Sequence, residues 1–173
     1  MAVLPIRFYG DAVLRQRAQE IKKIDTGVLK LAQDLFDTFR QASGLGLAAN
    51  QVGSLHRIFV VDLSKVIPES KPLVMINPVL LKSEGEQVGE EGCLSIPGIY
   101  EDVPRFKMVK FSAQDLAGRE FVLEASDLLA RVMQHELDHL DGILFLDRLS
   151  EVVRTGLAPR LKNLPGLATR GGY

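Results

Sequence analysis

SDLLARVMQHELDHLDG, residues 126 to 142, decides how the rest of the chain is read. Ser126 suits the N-cap of a helix and Gly142 suits its stop. Between them Leu128, Val132, His135 and His139 share one face, and Leu129, Met133, Glu136 and Leu140 the adjacent one. The stripe is apolar in its first half and polar at the same angle in its second, the pattern of a core helix that carries histidines inward. His135 and His139 with Glu136 after the first make an H-E-x-x-H arrangement. Two such rings lie about 6 Å apart along the axis and point the same way, so both reach one cation; Glu136 lies about 100° around, beside the ion, where it can take a proton from water. A lone inward histidine is ordinarily a satisfied core residue. Two of the chain's three histidines at this spacing favour a metal.

Two histidines need a third ligand. The extended pattern H-E-x-x-H-x-x-G-x-x-H has its glycine at Gly142 but Phe145 where its last histidine would stand. A downstream glutamate, as in thermolysin-like peptidases, leaves only Glu151, at the start of a surface helix. His56, in "VGSLHR", reads as an exposed turn. Cys93 remains, in "EEGCLSIPG". Alone it would be a small buried hydrophobe; beside an incomplete H-E-x-x-H it becomes the third ligand. Cys-His-His with a fourth position open is a catalytic donor set, and a thiolate suits Fe(II), Zn(II) or Co(II) over Mg or Ca. The thiolate also lowers the net charge at the ion, which leaves more of the work to Glu136 as base. "SGLGLAANQVG", residues 43 to 53, offers a small-residue backbone that a ligand can approach, ending on the amide donor Gln51, though tight turn packing explains its composition equally well.

The flanking segments set the fold class. "DTGVLKLAQDLFDTFRQASG" reads as an amphipathic helix capped by Asp25, with Val28, Leu31, Leu35 and Phe39 as its stripe and Gly44 as its end. "RIFVVDL", residues 57 to 63, reads as a buried strand; "PLVMINPVLLKSEGEQ" as two extended pieces bent at Pro78; "FKMVKFSAQDLAGREFVLEA" as a hairpin turning near Leu116 to Gly118. After Ser150 a helix begins, and Gly156, Pro159 and Pro165 predict its interruption, with a loose tail from about residue 164. The class is therefore α+β, antiparallel β-sheets packed around a central helix, in one domain spanning 1–173.

Composition agrees. Apolar residues make up 46% and charged residues 25%, and the net charge of -1 gives no basic field for DNA or anionic lipid. No apolar run nears the ~20 residues of a membrane span, and Pro5 and Arg7 break the start too early for a signal peptide. One cysteine excludes an internal disulfide and fits a reducing compartment.

"GLGLAANQ" (44–51), "EGCLS" (91–95) and "QHELDH" (134–139) resemble, in order and spacing, the three signature motifs of peptide deformylases, and "MINP", "SIPGIY" and "DGILFLDRLS" extend the likeness over nearly the whole chain. The resemblance implies removal of the N-formyl group from N-formyl-methionyl peptides. It implies Cys93, His135 and His139 as metal ligands, Glu136 as acid and base, and Gln51 with the Leu94 backbone N–H facing the oxyanion. Leu45 and Gly46 would pair with the extended peptide, with Glu91 and Gly92 on the substrate's side of the cysteine. Fe(II) is the implied ion in the cell, with Zn, Ni or Co as alternatives in purified protein. The implied setting is the cytoplasm, near the ribosomal tunnel exit, with a processed organellar form as the alternative. Leu128 and Val132, two turns and one turn before His135, are the expected wall of a methionine pocket, with Leu45 opposite, though plain core packing explains Val132 equally well. Glu91 and Arg105 are a candidate brace for the cysteine segment, and Arg131 is expected in solvent. Position 50, often Pro or Thr in the family, is Asn here. A metallopeptidase cutting internal bonds and a non-catalytic module with structural histidines are the competing readings.

Overall fold

The computed structural model describes residues 2–42 and 44–164. Its centre is helix α2 (Asp127–Leu140), which lies between two antiparallel sheets. The larger sheet has the order β1-β2-β3-β6-β7, built from β1 (Gly46–Ala48), β2 (Ile58–Val61), β3 (Leu73–Glu84), β6 (Met108–Gln114) and β7 (Glu120–Ser126). The smaller is the hairpin β4 (Gln87–Cys93) and β5 (Ile96–Arg105). This is the α+β arrangement expected from the sequence.

The alternation of β2 shows how the layers form. All four of its residues are buried, because successive side chains point to opposite faces and both faces are covered. Phe59 and Val61 meet Ala130, Met133 and Leu140 of α2, whereas Ile58 and Val60 meet Val28, Leu35 and Phe39 of α1 (Thr26–Gln41). Each large side chain so buried adds roughly 1.5–3 kcal/mol. Asp25 caps α1, its carboxylate accepting from the Val28 N–H at 3.1 Å. A third apolar cluster joins Ile96, Ile99 and Val103 of β5 to Leu144, Phe145, Leu146 and Leu149 and to α3 (Glu151–Lys162).

Three details differ from expectation. The segment bent at Pro78 is one strand, whose register shifts between Ile76 and Val79. Asn77 there adopts φ 51°, and its side chain clamps the N-terminal segment by bonding the Ile21 N–H at 2.8 Å and the Ile21 carbonyl at 2.9 Å. Ser126 occupies the N-cap of α2 but makes no side-chain capping bond. Helix α3 continues through Gly156 and Pro159 to Lys162. Buried Leu157 and Leu161 hold it against the third cluster, so packing overrides a weak helix propensity. Of the tail expected from about residue 164, Leu164 is instead buried in the third cluster, and residues 165–173 lie outside the described residues. Among the described residues, no helix is long and apolar enough to cross a membrane.

Candidate metal centre and cleft

Helix α2 delivers His135, Glu136 and His139, and the β4–β5 hairpin delivers Cys93 from the last position of β4. The strand pairing slips between Gly92 and Cys93, so that Cys93 faces Ile96 across a tight turn at Leu94 and Ser95. That slip turns the sulfur toward α2. Cys93 Sγ and His139 Nε2 are 3.2 Å apart, and one donor atom from each of Cys93, His135 and His139 lies within 4.8 Å of the others. Sulfur and nitrogen ligands of one tetrahedral ion stand roughly 3.5 Å apart, so this donor set fits a transition metal. His56, by contrast, is exposed and bonds Ser54 Oγ through Nδ1 at 2.9 Å, away from this group.

The orientation of the ligands is set by buried charge. His135 Nδ1 bonds Glu91 Oε2 at 2.9 Å, which turns Nε2 toward Cys93 and His139. Glu91 also receives Arg105 Nε at 2.8 Å, Arg105 Nη2 at 3.0 Å and Arg131 Nη1 at 2.8 Å. The Glu91–Arg105 brace therefore exists, and Glu91 serves the histidine with its carboxylate while only lining the cleft. Arg131 is a correction: it is buried, not solvated, and Nη1 also donates to the Gly89 and Val103 carbonyls at 3.1 and 2.9 Å. It stands one turn before His135 on the same face, and that i, i+4 relation to a ligand was the available signal.

Burial alone would raise the Glu91 carboxyl, but His135 and Arg105 outweigh it and hold it at about 2. Burial likewise pulls His135 down, and bonds to Cys93 and Glu91 more than reverse this, leaving it well above its ordinary value. His139 moves the other way, held well below the ordinary value by burial and by the charges of His135 and Arg105. The ring is therefore neutral, with one of its nitrogens able to offer an electron pair to a cation. Burial pushes Glu136 up to about 7. Its Oε2 is buried with no hydrogen-bond partner among the described residues, an acceptor beside the ligand triad.

Gly46 explains how Glu136 fits. A Cβ on Gly46 would lie 2.7 Å from Glu136 Oε1, so only glycine lets β1 pass so close. Gln51 follows β1, in a 3-10 turn. Its Oε1 accepts from the Ala48 N–H at 3.0 Å, which fixes the amide and aims Nε2 at Cys93 Sγ (3.4 Å) and Ser95 Oγ (3.2 Å). The neighbouring Asn50 is fully buried and ties the turn to the Gln16 carbonyl at 2.7 Å.

A cleft of about 380 Å³ opens onto this group. Leu45 and Gly46 line one side, Glu91, Gly92 and Leu94 another, and Leu128 and Val132 a third, with Gln51, Cys93, His135 and Glu136 at the base. His139 lies behind them, 1% exposed. Tyr100, which the sequence reading did not single out, also lines the cleft and is 59% exposed. Its ring fills the space over Gly92, where an added Cβ would lie 2.4 Å from the ring edge.

Comparison with known proteins points one way. The family described as polypeptide deformylase matches residues 3–155. A peptide deformylase of Alkalilimnicola ehrlichii is 46% identical over 164 residues, covering 95% of this chain and 92% of its own. One from Thermomicrobium roseum is 52% identical over 155 residues, covering 87% and 88%. The crystal structure of a peptide deformylase from Legionella pneumophila superposes with a TM-score of 0.89 at 37% identity, over 99% of this chain and 100% of that one.

Proposed function

The chain belongs to the polypeptide deformylase family, metal-dependent enzymes that remove the N-formyl group from nascent polypeptides, and on that premise we propose how its own residues do so. Cys93, His135 and His139 hold one divalent transition ion. That ion, when bound, supplies Lewis acidity toward water and the formyl carbonyl. The observation that carries the assignment is the convergence of three donors within 4.8 Å beside the partnerless Oε2 of Glu136.

Glu136 takes the proton of the attacking water at its carboxylate, and a value of about 7 suits a group that must accept and then return a proton near neutrality. It gives that proton to the leaving amine, so formate and a free N-terminus are the products. Gln51 Nε2 and the Leu94 N–H donate to the oxyanion; one such donor is worth roughly 3 kcal/mol. The backbone of Leu45 and Gly46, on the β1 edge, pairs with the extended peptide. Leu128, Val132 and Leu45 take the methionine side chain. We assign Fe(II) as the cellular ion, with Zn, Ni or Co able to occupy the same donors. The setting is the cytoplasm, where new chains leave the ribosome.

The test is formate release from formyl-Met-Ala-Ser. The parental chain releases formate with no cleavage between residues, and Cys93→Ala loses both metal and turnover. Glu136→Ala keeps its metal and loses turnover by about 10³-fold. Near-parental deformylation by Glu136→Ala removes the acid–base assignment, and internal cleavage of an unformylated peptide would favour a metallopeptidase.

A further inference from the structure

The charge network behind His135 does not end at Glu91 and Arg105. Arg105 faces two carboxylates: its Nε and Nη2 hold Glu91, and its Nη1 holds Asp138 Oδ2 at 2.5 Å. Asp138 in turn is gripped by Arg148, through Nε to Oδ2 at 3.1 Å and Nη2 to Oδ1 at 2.6 Å. The side chains of Glu91, Arg105 and Asp138 are 4%, 3% and 8% exposed, whereas Arg148 is 44% exposed. The chain Arg148–Asp138–Arg105–Glu91–His135 thus runs from solvent to the ligand triad, each link a charge-assisted hydrogen bond.

We infer that Arg148 is a positioning residue for the metal ligand His135, acting through Asp138, Arg105 and Glu91. The inference rests on the triad being the metal site. Among the described residues Arg148 bonds Asp138 and makes no hydrogen bond to any of the three ligands, so its influence passes through geometry. Its two nitrogens engage both oxygens of Asp138 and fix that carboxylate's plane. A fixed Asp138 holds one edge of the planar Arg105 guanidinium, which keeps the opposite edge square on both oxygens of Glu91. Glu91 then presents Oε2 to His135 Nδ1 at 2.9 Å, and Nε2 stays aimed at Cys93 and His139. Without Arg148, Asp138 is a buried carboxylate with Arg105 as its remaining guanidinium, free to rotate and to draw Arg105 off Glu91.

Two other consequences of Arg148 can be told apart from this one. If it merely pins the 3-10 turn Phe145–Arg148 to α2, its loss lowers thermal stability and leaves metal affinity alone. If it acts only through space, removing a positive charge makes the site bind a cation more tightly. Positioning predicts the opposite sign.

The experiment is titration of metal-free protein with Co(II) under anaerobic conditions, against a competing chelator, with the cobalt–thiolate absorption as readout and thermal unfolding measured alongside. Arg148→Met is expected to weaken cobalt binding by about tenfold, at the low end for a residue behind a ligand. Arg148→Lys, which keeps the charge and loses the two-pronged grip, falls between Met and parent. Arg148→Gln serves the same purpose should the Met variant not fold. Unchanged or tighter cobalt binding by Arg148→Met or Arg148→Gln in folded protein overturns the inference. A parental chain that binds no cobalt with thiolate absorption overturns the metal site itself, a failure seen before any variant is made.

Discussion

Replacing Glu91 by Gln tests the buried charge network most directly, because it keeps the shape and removes one charge. Glu91 accepts four hydrogen bonds, from Arg105 twice, Arg131 and His135. Its carboxyl lies at about 2 in the folded chain against an ordinary value of 4.5. At roughly 1.4 kcal/mol per pH unit, that gap corresponds to about 3 kcal/mol of stability. The sign is that of a carboxylate held below its unfolded value: the contribution is complete above pH 4.5 and is lost as pH falls from 4.5 through about 2. Urea unfolding of metal-free protein, followed by circular dichroism from pH 7 down to pH 2.5, gives the difference between parent and Glu91→Gln. The variant is expected to be less stable by about 3 kcal/mol at pH 7, with the difference shrinking steadily below pH 4.5. Carboxylates remote from Glu91 titrate alike in both proteins and cancel in the comparison. A variant as stable as its parent at pH 7, or a difference constant down to pH 3, refutes the reasoning.

Gly46→Ala puts a methyl group 2.7 Å from Glu136 Oε1, and the buried carboxylate must shift by several tenths of an ångström. Turnover should fall by about 10²-fold with metal content and unfolding midpoint near parental, and a loss under threefold argues against the close approach. Metal uptake by the metal-free protein should release a proton, because Glu91 and Cys93 hold one on His135 well above its ordinary value. Cobalt affinity measured at pH 6, 7 and 8 should therefore rise with pH, and a flat or falling series contradicts the proton's location.

Helix α2 was legible because its apolar stripe and its metal-ligand spacing share one period, so two independent signals fall on the same residues. Helix α1 and strand β2 were legible for simpler reasons: a capping aspartate, a regular stripe, and an apolar run covered on both faces. The β4–β5 hairpin was not. Its buried positions on β4 include the charged Glu91, and on β5 the spacing from Ile96 to Ile99 to Val103 breaks the period of two. Glycine, proline and glutamate dilute the remainder, so binary patterning gives the stretch no regular period to follow. Arg131 was misread for a related reason. A charge is placed in water by default, and only the buried carboxylate of Glu91, on a strand the pattern hides, makes its burial favourable. The motif residues could be placed together, and Glu91 with Arg105 as a brace; the bond from Glu91 to His135 and the parts played by Arg131 and Asp138 could not.

That division has a physical basis. The ligand on β4 and the ligands on α2 are joined, between the smaller sheet and the helix, by Glu91, Arg105, Arg131 and Asp138, and the apolar clusters lie on either side of this join. Apolar contact is non-directional and would leave an imidazole free to turn about its bonds. A carboxylate accepting from two guanidiniums and a ring N–H has few arrangements that satisfy every partner, and in a buried site each unsatisfied one is costly. Beyond the stability lost when one of its members is removed, the network restricts orientation. It holds the His135 ring at one angle, which is what a site of two imidazoles and one thiolate from separate elements requires if the ligand positions are to be formed before an ion arrives.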